Sequence, residues 1–173
     1  MHIALVGLSG TGKSTIARLL AAELARPLYD IDALIAQRTG TSIPTIFAAQ
    51  GEPAFRAAEH AALLAASTLA PGIVATGAGI VVTPANHALL AQMLVVWLDA
   101  PPAVLAERLR NHDEQRPLLA GDDALARLTA QYQARTPLYI AVADLRLDVA
   151  LRTPPAIVAA IVTHMAAVVL RTA

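Results

Sequence analysis

Gly7-Leu8-Ser9-Gly10-Thr11-Gly12-Lys13-Ser14-Thr15 carries glycines, a lysine and a hydroxyl at the spacing G-x-x-x-x-G-K-[ST]. The run stands between the apolar stretch His2–Val6, too short for a helix and read as a buried strand, and the helical spacing of Ile16, Leu19, Leu20 and Leu24. A strand, a glycine turn and a helix in that order make a phosphate cradle. The glycines let successive N–H groups turn inward as an anion nest, and the helix adds its positive end. Lys13 would neutralise the outer phosphates of ATP and the Ser14 hydroxyl would ligate Mg²⁺. Gly10, Thr11, Gly12 and Thr15 complete the expected ATP-binding loop.

Composition sharpens this reading. Of 13 basic residues the only lysine is Lys13; the others are arginine. A compact ammonium on a flexible stem suits a phosphate cradle better than a planar fork. The lone lysine also excludes an Asn-Lys-x-Asp guanine-reading motif, so a guanine switch is not expected. Lys plus Arg equal Asp plus Glu at 13 each, without a charge run, so no nucleic-acid partner is expected. No cysteine is present, which removes disulfides and thiolate chemistry. The five histidines are scattered without metal-ligand spacing. The most apolar segment, 156–170, holds His164 and falls short of the roughly 20 residues of a spanning helix. With no signal-like start, a cytoplasmic protein without a membrane partner is expected.

Further strands are read at Pro27–Asp30, Gly72–Thr76, Met93–Leu98 and Leu145–Val149. Helices fall between them, including two broken at Gly51 (Ser42–Gln50 and Glu52–Ser67), one opened by Pro84, one from Pro101 to Arg110, and one from Asp122 to Ala134. Asp32 is read as a helix cap, and Thr153-Pro154 opens the last helix. Asp99 reads as a strand-end residue capping the Pro101 helix, with a metal-holding role as the competing reading. Alternation of strand and helix predicts an α/β three-layer sandwich: a five-stranded parallel sheet with helices on both faces. One domain spans 1–173, and the polar, Pro- and Gly-interrupted stretch 111–122 reads as a mobile lid.

Asp30 and Asp32 flank Ile31 at the end of the second strand, where ligands of such sheets collect. One carboxylate there can help hold Mg²⁺ while the other orients an acceptor hydroxyl; an N-cap pair is the other reading. Together with the phosphate loop, Tyr29-Asp30-Ile31-Asp32, Gly40-Thr41-Ser42-Ile43, Gly51-Glu52 with Phe55-Arg56 and Glu59, Ala75-Thr76-Gly77-Ala78-Gly79, Val96-Trp97-Leu98-Asp99, Arg116-Pro117-Leu118-Leu119 and Arg135-Thr136-Pro137-Leu138-Tyr139 follow in order. In that order they resemble shikimate kinases, P-loop enzymes that phosphorylate the 3-hydroxyl of shikimate with ATP.

The resemblance implies roles residue by residue. Lys13, Asp32 and Arg116 would be catalytic, Arg116 arriving on the lid. Ser14 and Asp30 would hold Mg²⁺. Arg56 and Arg135 would clamp the shikimate carboxylate, and Gly77, Ala78 and Gly79 would line the acceptor pocket. Arg110 and Arg152 would flank adenine. A monomer acting on a small molecule is expected. The pattern departs from the family at Ala78, where three glycines are usual, and at Ala141, where a Glu is common; the first implies crowding of the acceptor, the second a missing pocket partner. Against the kinase stand a relative acting on another polyol and a nucleotide-binding protein that transfers nothing. Without the resemblance, Arg56 and Glu59 read as a surface i,i+3 pair.

Overall fold

A computed structural model describes residues 1–112 and 124–172. The lid stretch therefore lies outside the described residues, except for positions 111 and 112, and so does Arg116. Five strands, β1 (Ile3–Val6), β2 (Leu28–Asp30), β3 (Ile73–Ala75), β4 (Leu94–Asp99) and β5 (Leu145–Asp148), form one parallel sheet in the order β2-β3-β1-β4-β5. Among the described residues seven α-helices connect and flank them: α1 (Lys13–Glu23), α2 (Ile31–Thr39), α3 (Ile43–Ser67), α4 (Pro84–Leu90), α5 (Pro102–His112), α6 (Ala124–Val142) and α7 (Pro154–Thr172). The predicted three-layer parallel sandwich is the observed one.

Burial explains which strand goes where. β1 and β4 are buried at every residue, as strands covered on both faces must be. β2 and β5 are only part-buried and lie at the edges. The chain leaves β1 for the β2 edge and later crosses back past β1 to β4, so successive loops diverge around the carboxyl end of β1. Such a switch point opens a crevice for ligands.

The predicted break at Gly51 is present: the backbone there leaves helical angles, with φ 77° and ψ 178°, and divides α3 into two helical stretches. Two local readings change. The cap of α2 is Asp30, whose Oδ1 accepts from the Ala33 N–H at 3.1 Å, not Asp32, which sits in the first turn. β2 pairs with β3 as far as Asp30, so the helix can begin only after it. The helix predicted to end at Ala134 runs through Pro137 to Val142. Pro137 removes one backbone donor, yet Thr136 Oγ1 donates to Tyr132 O at 2.6 Å and side chains beyond the proline are anchored in the core. Tertiary packing overrides the breaker.

Asp99 neither caps α5 nor stands open to a cation. Its Oδ2 accepts from Arg146 Nη2 at 2.6 Å and Nε at 3.0 Å, with the Tyr132 hydroxyl at 3.4 Å. The Arg146 guanidinium lies 4.5 Å from the centre of the Trp97 ring.

The end of β1 runs close against β4. Gly7, at φ 142°, presses its α-carbon against the Leu98 carbonyl, which a β-carbon would overlap; Gly12, at φ 87°, has open space there. Gly12→Ala should therefore cost only the left-handed backbone penalty, about 1–2 kcal/mol. Gly7→Ala adds a clash with backbone and should cost about 2–5 kcal/mol. Urea unfolding of both variants checks this; equal stabilities would contradict the close approach.

Candidate active site

The loop after β1 is a cage of its own carbonyls and amides. Thr11 is buried, and its Oγ1 and N–H both bond Leu8 O, at 2.8 and 3.4 Å. Its hydroxyl therefore shapes the loop. Lys13 Nζ donates to Gly7 O at 2.8 Å and Leu8 O at 2.9 Å, folding back over the turn. Ser14 and Thr15 stand exposed on the first turn of α1. Burial lowers the Lys13 pKa from 10.5 to about 8; the Asp32 charge opposes the shift and the Arg135 charge adds to it.

That coupling already places Asp32 and Arg135 beside the phosphate loop. The turn after β3 joins them to the rest. Gly77 lies where a β-carbon would sit 2.8 Å from Glu59 Oε1 and 3.4 Å from Asp32 Oδ1. Gly79 abuts the Arg56 guanidinium so closely that any side chain would displace it. Between them, Ala78 O accepts from Arg135 Nη1 at 3.2 Å and the Tyr139 hydroxyl at 2.6 Å. Lys13, Asp32, Arg56, Arg135 and the turn 77–79 thus meet in one hollow above the ends of β1, β2 and β3.

Glu59 is the residue read too weakly from sequence. It is no surface partner: it is fully buried, with Oε2 taking Arg56 Nη1 at 2.7 Å. Its Oε1 has no hydrogen-bond partner. Burial raises the Glu59 pKa, Arg56 lowers it, and Asp32 raises it further. Arg56 also takes exposed Glu52 at 2.9 Å, and its ring neighbour Phe55 lies 5.0 Å from the guanidinium. Two carboxylates thus hold one arginine with its fork against Gly79.

At the two departures from the family pattern the structure shows an unstrained backbone and a surface position. Ala25 is the only non-glycine with positive φ among the described residues, so Ala78 is unstrained as alanine. Position 141 is exposed on α6, whereas the pocket contacts from that helix come from Arg135 and Tyr139, so a Glu there would face solvent.

Arg110 and Arg152 are exposed, on α5 and in the approach to α7, and the structure joins neither to the hollow. A small hollow of about 70 Å³ adjoins the phosphate loop between α5 and α6, lined by Ser9, Leu109, Ala124, Arg127, Leu128 and Gln131. A larger cleft of about 400 Å³ lies between α1 and α7; its lining is mostly apolar, with Glu23 its one charge. Nothing there suits a phosphate. Among the described residues no helix is long and apolar enough to cross a membrane.

Comparison with known proteins yields one family. The sequence profile of shikimate kinase matches residues 9–166. A shikimate kinase of Thiobacillus denitrificans is 44% identical over 150 residues, covering 86% of this chain and 81% of its own. One from Halorhodospira halophila is 49% identical over 148 residues, with 85% and 83% covered. Among solved structures, the shikimate kinase of Acinetobacter baumannii in complex with shikimate superposes with a TM-score of 0.88 at 32% identity, covering 96% of this chain and 93% of that one.

The lowered Lys13 pKa has a pH consequence. Between about pH 8 and 10.5 the unfolded chain holds a proton the folded one lacks, so through this lysine stability rises with pH in that window. Phosphate binding needs the charged form. ATP should therefore bind with proton uptake at about pH 8.5, and its Kd should weaken roughly tenfold between about pH 7 and pH 9. Calorimetry in buffers of different ionisation enthalpy reads both; a flat Kd without proton uptake contradicts the assignment.

Proposed function

This chain belongs to the shikimate kinase family, and on that premise we propose that it transfers the γ-phosphoryl group of ATP to the 3-hydroxyl of shikimate through the hollow above β1, β2 and β3. The observation that carries the assignment of residues is their convergence. Side chains from α1, α2, α3 and α6 meet one glycine-flanked turn beside the phosphate loop. Had Asp32, Arg56 and Arg135 faced away from a shared hollow, only nucleotide binding would be supported.

Each group has a task in phosphoryl transfer, where positioning and charge do most of the work. Lys13 neutralises phosphate charge, its ammonium exchanging the Gly7 and Leu8 carbonyls for phosphate oxygens. Arg56 and Arg135 bind the acceptor's carboxylate, each as a charge-assisted donor. Asp32 accepts the 3-hydroxyl proton as that oxygen attacks. The Lys13 ammonium couples to its charge, and the buried Glu59 holds Arg56 in place. Arg116, outside the described residues, is assigned to the phosphates, where its charge would offset that of the transferring group.

The fit to Mg²⁺ rests on the donor set. Among the described residues no group of three or more His, Cys, Asp or Glu gathers as a cage. Mg²⁺ needs none, since it is held by one or two protein oxygens with substrate phosphates and water. The exposed Ser14 hydroxyl and the Asp30 carboxylate, which gives the α2 cap only Oδ1 of its two oxygens, are the groups we assign. When bound, the ion neutralises charge on the transferring phosphate.

The test is ADP release by the purified protein with and without shikimate. Acceptor-dependent release is expected; release only with other polyols, or none, defeats the reading. Arg135→Ala and Arg56→Lys should each lower kcat/KM for shikimate by about 2–3 kcal/mol, roughly 30- to 150-fold, with little change in KM for ATP. Lysine is chosen at 56 because alanine would leave buried Glu59 without its partner. Wild-type kinetics in both variants refute the carboxylate clamp.

A further inference from the structure

The turn 77–82 that lines the acceptor side is held almost entirely by its carbonyls. Asn86 Nδ2 donates to Ile80 O at 2.8 Å, and His60 Nδ1 meets Asn86 Oδ1 at 2.8 Å. His87 Nε2 meets Val81 O at 2.7 Å. Ala78 O, nearest the charged groups, takes two donors from α6. The shorter of these comes from a residue to which the reaction assigns nothing, Tyr139.

We propose that Tyr139 is a positioning residue for the acceptor: its hydroxyl fixes the Ala78–Gly79 peptide and the Arg135 guanidinium, and so sets the affinity for shikimate without touching ATP. The inference rests on the reading of the hollow as the shikimate site. Three features carry it. The Tyr139 ring is 1% exposed and stacked on Trp97, with centroids 5.5 Å apart and planes at 21°. Trp97 in turn is covered by the Arg146 guanidinium that Asp99 holds. The phenol therefore cannot swing away from Ala78.

The second feature is the peptide itself. Every peptide bond described is trans, and in a planar trans unit the C=O and the next N–H point opposite ways. With Ala78 O drawn to α6, the Gly79 N–H is directed away from α6, on a residue whose α-carbon packs against the Arg56 guanidinium. The third is that Arg135 Nη1 and the Tyr139 hydroxyl both donate to the one Ala78 oxygen, so this carbonyl ties the tyrosine and the arginine to the same peptide. Burial pushes the phenol's pKa up, which keeps it a donor throughout the working range of pH.

Tyr139→Phe keeps the ring, the stack and the Arg135 bond to Ala78, and removes only the hydroxyl. KM for shikimate, and Kd read from the emission of Trp97, the chain's one tryptophan, should rise roughly three- to tenfold. KM for ATP should stay within about twofold, and combined with Arg135→Ala the loss should be less than additive. Shikimate affinity equal to wild type, or KM values for both substrates rising together with a lowered Tm, overturns the proposal and leaves Tyr139 a packing residue. Should the variant fail to fold, ¹⁹F spectra of the 3-fluorotyrosine-labelled wild type, assigned through Tyr29→Phe and Tyr132→Phe, decide. The Tyr139 line should move with shikimate and not with ATP; a line indifferent to shikimate overturns the proposal. Wild type lacking shikimate-dependent ADP release defeats the earlier reading first, whereas an active wild type with an unaffected variant defeats this one alone.

Discussion

Five charges share one small hollow, and their mutual dependence organises everything around them. Burial and the nearby Asp32 charge raise the cost of ionising Glu59, Arg56 and Arg135 offset it, and Lys13 couples to Asp32 beside them. A fully buried carboxylate such as Glu59 is unfavourable by several kcal/mol unless paired, so Arg56 is held as firmly by Glu59's need as by any packing. Exposed Glu52 adds a third carboxylate on Arg56, so anion binding here depends on where the donors point and not on a net positive charge.

The geometry that assembles these charges was legible in the sequence only in part. The phosphate loop was readable because glycine spacing, strand and helix are all local. The sheet was readable because alternation of elements dictates parallel crossovers. Glu59 was not, because three residues from Arg56 on a helix reads as a solvated pair; its burial comes from the turn 77–79 pressing on that face, 18 or more residues away. Asp30 and Asp32 were indistinguishable as caps, since the choice depends on where pairing with β3 stops. The helix was read only to Ala134, and the anchoring of Arg135 and Tyr139 on Ala78 shows why it runs on through Pro137. Asp99 and Arg146 lie 47 residues apart, and strand register alone brings them together.

Rigidity in this site is placed in the backbone. Carbonyls of residues 78, 80 and 81 each have side-chain donors from neighbouring helices. Dipoles fixed in advance need no reorganisation when charge develops, which is where electrostatic catalysis gains most. By contrast Lys13 rests on the carbonyls of Gly7 and Leu8. On the proposed roles, the acceptor side is set in advance, and Lys13 exchanges these carbonyls for phosphate oxygens.

This division also bears on the alanine within the turn. Gly77 and Gly79 are confined by Glu59 and Arg56, and there a methyl group has nowhere to go. Position 78 contributes through its carbonyl, which alanine supplies as well as glycine, at a backbone angle alanine adopts without strain. A glycine in the middle of the turn would keep the same hydrogen bonds and add freedom in the unfolded chain, a cost of roughly 0.4–1 kcal/mol where the native angle suits alanine. The substitution therefore bears on the stability of the turn.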